Sequence, residues 1–143
     1  MQDSFSNSAG RHLQDAQILL GEQRWDNAVY LAGYVVECSF KVLVEQYFKH
    51  DQRAATKYNH DLSELDGRLM ERLRVIYPVL DKQLPASRIA GTVLAENHPI
   101  RRYFKSGHWT EAEVQSAVQR AEEIYREIIS KLVLDGLISS KDI

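Results

Sequence analysis

The chain has 143 residues, the length of one ordinary domain, and its 44% hydrophobic and 27% charged residues provide both a core and a charged surface. The net charge of -2 excludes a protein that coats DNA or RNA non-specifically, because such binding depends on many cationic contacts to phosphates. We therefore expect one domain over residues 1–143, with its core from about 8 to 136.

Three features of the sequence predict a cytoplasmic protein. Cys38 is the only cysteine, so no intramolecular disulfide can form and a reducing environment is the simplest setting. The opening residues MQDSFSNSAG lack the basic region and apolar run of a signal peptide. No stretch approaches the roughly 18 apolar residues of a transmembrane helix, so we expect no membrane segment.

The first half of the chain predicts two long helices. Apolar residues at three- and four-residue steps predict a first helix from about Ser8 to Glu22. After a turn, Asp26 is an N-cap candidate for a second helix that runs to about His50. This second helix is apolar on more than one face, which is typical of the central helix of a bundle. Gly33 inside it predicts close packing against another helix.

The second half predicts a third helix, a short one and a long last one. Asp61 is a candidate cap for the third helix, which Pro78 should end. A short helix is expected from about Ala86 to Ala95. Thr110 and Glu113 form the pattern of a capping box at the start of the last helix, and Gly136 is placed to stop it. No segment alternates with period two, so the predicted fold class is all-α, an up-and-down bundle of four to five helices.

Two stretches of this chain resemble the HEPN domain family. Residues 13–20, LQDAQILL, resemble the opening helix of that family, and residues 25–41, WDNAVYLAGYVVECSFK, resemble its second helix with the pattern A-x-Y-L-A-G-Y-x-x-E-x-x-x-K. His60-Asp61-Leu62, Arg102-Tyr103 and the helix after Thr110 are similar to later parts of the same domain. The resemblance covers roughly residues 11–135.

The resemblance implies a helical bundle that often forms homodimers. It also implies a frequent partnership with a minimal nucleotidyltransferase in toxin–antitoxin or defence systems, and a nucleotide or RNA as ligand. Many members of the family are metal-independent ribonucleases. We expect no cofactor and no metal, since the spacing of His50, His60, His98 and His108 matches no ligand pattern.

The candidate site lies in residues 101–108. Family ribonucleases resemble one another in an arginine followed, after four to six residues, by a histidine, and Arg101 and Arg102 both stand at such a distance from His108. An imidazole suits a general acid or base near neutral pH, and a guanidinium suits a phosphate. A symmetric dimer would bring a second His108 to the same cleft. We therefore predict Arg102 and His108 as catalytic candidates and Arg101, Arg102 and Lys105 as ligands of phosphate or RNA.

Two functions remain open on the sequence, with Glu37, Lys41 and Tyr103 as supporting residues in either. The first is a non-catalytic module that binds a nucleotide or RNA and partners a nucleotidyltransferase; Arg102-Tyr103 favours it, because a subset of the family carries Arg-Tyr here without the nuclease signature. The second is a metal-independent endoribonuclease with a composite site at a dimer interface. Whether the chain is an enzyme is left open. In the simpler alternative, Arg102 pairs with a buried acid such as Glu37, and Glu37 and Lys41 form a structural ion pair.

Overall fold

The computed structural model describes residues 4–47, 62, 65–76, 89–95 and 98–139, and no strand occurs among them. The four described helices are α1 (Phe5–Gly21), α2 (Trp25–Tyr47), α3 (Met70–Ile76) and α4 (Glu111–Tyr125). A π-helical turn, Leu65–Leu69, leads into α3, while π-helical Arg126–Ser130 and α-helical Lys131–Leu134 continue α4. Two 3₁₀ helices, Val93–Ala95 and Ile100–Tyr103, lie between α3 and α4. The predicted all-α helical bundle is confirmed.

Helix α1 begins three residues earlier than the sequence predicted. The hydroxyl of Ser4 accepts a hydrogen bond from the backbone N–H of Asn7 at 3.3 Å, so Ser4 caps the helix in place of the predicted start at Ser8. Ala9 and Ala16 on the predicted apolar stripe are fully buried. Helix α1 therefore packs one face on the core, chiefly against α2.

Helix α2 is the centre of the bundle. Val35, Val36 and Phe40 are all fully buried, and the helix packs against both α1 and α4. Burying a side chain as large as that of Phe40 contributes about 1.5–3 kcal/mol. The predicted end near His50 lies outside the described residues. By length and composition α2 also passes as a membrane span, but most of it is enclosed by the rest of the fold, as in any central bundle helix, so this is a weak indication.

The prediction that Asp26 caps α2 is wrong. The helix already begins at Trp25, and the backbone N–H of Ala28 donates to the carbonyl of Arg24, which places Asp26 in the first turn. Its carboxylate accepts instead from the backbone N–H of Gly107, at 3.3 Å to each oxygen. This contact ties the start of α2 to the segment that precedes α4.

In the middle of the chain, the described part of the third helix agrees with the prediction and the short helix after it does not. Asp61 and Pro78, the expected ends of the third helix, lie outside the described residues, while Leu65 and Leu73 are fully buried as expected. Of the short helix predicted from Ala86 to Ala95, residues 86–88 lie outside the described part and only Val93–Ala95 is helical in the rest. The reason is Gly91, whose φ of +82° is incompatible with a helix interior.

Helix α4 begins as predicted, and its continuation through Leu134 stops at Gly136 as predicted. The hydroxyl of Thr110 accepts from the backbone N–H of Glu113 at 3.2 Å, and the Glu113 carboxylate accepts from the backbone N–H of Thr110 at 3.0 Å. These bonds from Thr110 lower the pKa of Glu113. At the other end Gly136 takes a φ of +73° and its N–H donates to the carbonyl of Val133. The buried face carries the predicted stripe: Val114, Ala117, Ala121, Ile124, Ile128 and Leu132.

We predict that Thr110→Ala lowers the free energy of unfolding by about 1 kcal/mol, because the first turn of α4 loses the oxygen that caps it. Thr110→Ser keeps a capping hydroxyl and is the matched control. Urea unfolding followed by circular dichroism measures both. Equal midpoints for the alanine and serine variants would show that the capping box contributes nothing.

Candidate functional site

Polar side chains from two distant parts of the chain meet inside the bundle. The Nζ of Lys41 lies 3.2 Å from one carboxylate oxygen of Glu37, and the Nε2 of His98 lies 3.0 Å from the other. The side chains of Glu37 and His98 are only 4% and 2% exposed. The predicted Glu37–Lys41 ion pair is thus confirmed, and His98 extends it from α2 towards the second 3₁₀ helix.

Arg101 continues this chain of contacts. Its Nη2 lies 3.1 Å from the Nδ1 of His98, and its Nη1 donates to the backbone carbonyl of Val93 at 3.0 Å. The residue is 1% exposed, and burial lowers the pKa of its guanidinium to about 10, so the group remains charged at neutral pH. One cation thereby joins both 3₁₀ helices and, through His98, α2. We call Glu37, Lys41, His98 and Arg101 the buried network.

Gly33 makes room for the buried network on α2. A Cβ built on Gly33 would meet the Nη2 of Arg101 and would lie 2.5 Å from the Nδ1 of His98, far inside van der Waals contact. The close approach predicted at Gly33 is observed, but the groups nearest to it are the polar side chains of Arg101 and His98, where the sequence predicted a packed helix.

The structure separates the two arginines of the predicted site. Arg101, predicted as a phosphate ligand, has its guanidinium inside the fold, where a phosphate on the surface does not reach it. The backbones of Arg102 and Tyr103 belong to the second 3₁₀ helix, and their side chains lie outside the described part of the structure. The alternative in which Arg102 pairs with Glu37 depends on that undescribed side chain and stays a prediction, while Arg101 is linked to Glu37 through His98.

Lys105 and His108 lie on the surface, in what we call the outer segment, residues 102–108. The ring of His108 lies against two aromatic rings, at centroid distances of 4.9 Å from Phe104 and 5.0 Å from Trp109. Trp109 is 9% exposed and belongs to the core, so it anchors this end of the segment. Gly107 has a φ of +81°, which favours glycine, and its N–H binds Asp26. Residues 105–108 of the outer segment are thus exposed, while Gly107 and Trp109 hold its far end in place.

A model of the family described as HEPN domain matches residues 3–132 of the chain. The chain belongs to the HEPN domain family. No match emerges among curated proteins or among solved structures. Membership supports a module whose role is related to nucleotides or RNA, and it is compatible with a homodimer.

His98 is the residue of this HEPN domain that sequence reasoning missed. It entered only among four histidines considered and set aside as metal ligands, of which His50 and His60 lie outside the described residues. Within the described ranges, no group of three or more histidine, cysteine or acidic residues could hold a metal ion. The available signal was the spacing of His98 and Arg101, three residues apart, in a chain whose central helix carries Glu37 and an unusual interior glycine.

We predict that Gly33→Ala destabilises this HEPN domain by up to about 2 kcal/mol. Overpacking costs about 1–3 kcal/mol, and the better helix propensity of alanine offsets up to about 1 kcal/mol of that. Gly21→Ala is the matched control, because a Cβ there meets nothing within 4 Å. Thermal unfolding of the two variants measures the difference. A Gly33→Ala protein as stable as the Gly21→Ala protein would mean that His98 and Arg101 do not occupy the space above Gly33.

Proposed function

We propose that this HEPN domain is a nucleotide- or RNA-binding module that partners a minimal nucleotidyltransferase, in a toxin–antitoxin or defence system, and that its outer segment contacts the phosphate. The observation that carries the proposal is the division between an inner arginine and an exposed segment. Arg101 is held inside the fold, while Lys105 and His108 are exposed a few residues further along the chain. The inner cation fixes the backbone from which the exposed groups extend.

The chemistry of the outer segment suits a phosphate. Arg102 and Lys105 are cations, and His108 becomes one when it is protonated. Clustered cations on a chain of net charge -2 favour a local phosphate contact over a broad nucleic-acid surface. Arg102 is the strongest candidate by type, since a guanidinium can donate two parallel hydrogen bonds to one phosphate.

The nucleotidyltransferase partner and the homodimer in this proposal rest on what the family resemblance implies. Glu37 already accepts from Lys41 and His98, which leaves it engaged in holding the fold. A homodimer would place two outer segments in one assembly.

The second candidate function is a metal-independent endoribonuclease, and the exposure of His108 favours it. An exposed imidazole can reach the 2′-hydroxyl or the leaving oxygen of an RNA, and a second His108 from a dimer mate would supply the complementary acid or base. Arg102 would then stabilise the negative charge that develops on the phosphate.

A binding assay tests the proposal, with a short fluorescein-labelled single-stranded RNA and with ATP as separate probes. We expect the unmutated protein to bind at least one of them, and Arg102→Ala to weaken that binding by about tenfold, as for a lost hydrogen bond to a charged group. Lys105→Ala should weaken it less and reduce its salt dependence. Arg126→Ala removes an exposed cation on the continuation of α4 and should leave binding unchanged.

The outcomes separate the two functions. Binding without cleavage in EDTA supports the module. Cleavage in EDTA that is lost in both His108→Ala and Arg102→Ala, with folding intact, replaces it by the endoribonuclease. Binding of neither probe, or equal weakening by Arg126→Ala and Arg102→Ala, would contradict the assignment of the outer segment.

A further inference from the structure

Each ring nitrogen of His98 faces a group whose hydrogen-bonding role is fixed by its chemistry. Nδ1 lies 3.1 Å from the Nη2 of Arg101, and Nε2 lies 3.0 Å from the carboxylate of Glu37. A guanidinium has only donors, and an ionised carboxylate has only acceptors. His98 must therefore accept at Nδ1 and donate at Nε2, which is one of the two neutral tautomers.

The charges around His98 agree with a neutral ring. From α2, Lys41 and Glu37 flank it, and Tyr34 lies edge-to-face at a centroid distance of 4.8 Å. Arg101 approaches from the second 3₁₀ helix. His12, on α1, lies on the far side of Tyr34, with 5.9 Å between the centroids of the His12 and Tyr34 rings. Two permanent cations thus already lie in the network, Lys41 against the Glu37 carboxylate and Arg101 against the Nδ1 of His98. A proton on Nδ1 would add a third cation and point it at a guanidinium, at a site where little water screens the repulsion.

We propose that His98 is a positioning residue for the phosphate contact: as the neutral Nε2–H tautomer it ties Arg101 to Glu37 and so fixes the 3₁₀ helix from which the outer segment starts. This inference rests on the proposed function, in which Arg102 and the exposed residues after it bind the ligand. The side chain of His98 itself is 2% exposed, so a surface ligand does not reach it and its effect on the ligand is indirect, through Arg101.

The position of Arg101 explains why the effect reaches the ligand. Its two terminal nitrogens contact Val93 on one side and His98 on the other. Loss of the imidazole removes the second contact and keeps the first, which is to the first 3₁₀ helix. Arg101 lies in the same single-turn helix as Arg102, Ile100–Tyr103. In a helix of four residues, a displacement of Arg101 also displaces the backbone of Arg102.

The tautomer is tested first, and this test needs no ligand. In protein labelled with ¹⁵N-histidine, long-range proton–nitrogen spectra distinguish the two neutral tautomers and the cation, and His98→Gln assigns the signal by its loss. We expect the neutral Nε2–H form to persist in mildly acidic buffer, where a free imidazole with a pKa of about 6.5 is largely protonated. An Nδ1–H tautomer, or a protonated ring at neutral pH, would overturn the inference.

The positioning role is tested by affinity for the same labelled RNA or ATP. We expect His98→Leu to weaken binding by about tenfold. His98→Gln should restore most of the binding, because an amide offers one acceptor and donors at a similar separation. Ile129→Val, a core change on the continuation of α4, is the control for destabilisation and should leave affinity unchanged.

The outcomes distinguish this inference from the proposed function. If the unmutated protein binds neither probe, the proposed function fails. If it binds and both His98 variants retain full affinity, the positioning role fails while the proposed function stands. If His98→Leu does not fold, the glutamine variant and the histidine spectra decide: binding by His98→Gln weaker than that of Ile129→Val, or an Nδ1–H tautomer, contradicts an acceptor–donor relay.

Discussion

A buried guanidinium is the constraint on which the rest of this structure depends. Arg101 is 1% exposed, and a cation in that position is tolerated only if its donors are used and its charge is balanced. The fold meets this requirement for the two terminal nitrogens, with a backbone carbonyl at Val93 and with His98, which in turn binds the Glu37 carboxylate, while the buried Nε makes no hydrogen bond. Gly33 follows from the same constraint, because any side chain there would occupy the space of the guanidinium.

The same arrangement gives the HEPN domain a fixed interior and an exposed edge within a few residues of sequence. On the inner side, the network joins α2 to both 3₁₀ helices, which are too short to hold a position by their own hydrogen bonds. On the outer side, Asp26 and the core residue Trp109 hold the far end of the outer segment. In the proposed function, a ligand's phosphate thus meets groups on a backbone that is already ordered, which reduces the entropy lost on binding.

The sequence was sufficient to predict those features that depend on local periodicity or on contacts between residues close in the chain. The core stripe of α4, its capping box at Thr110 and the Glu37–Lys41 pair all depend on residues three or four apart, and the structure has all of them. The sequence was insufficient where a contact spans 61 residues, as between Glu37 and His98. Nor could it tell that Arg101 turns inward, because a single 3₁₀ turn carries no apolar stripe that assigns an inner face.

A double-mutant cycle between Glu37 and Arg101 tests this account most directly. The free energies of unfolding of Glu37→Gln, Arg101→Gln and the double variant give the coupling between the two residues, which make their connection through His98. The account predicts a coupling of about 1 kcal/mol or more, and its disappearance when the cycle is repeated in a His98→Leu background. Additive effects in the unmutated background would contradict it, because Arg101 would then be buried independently of the acid on α2.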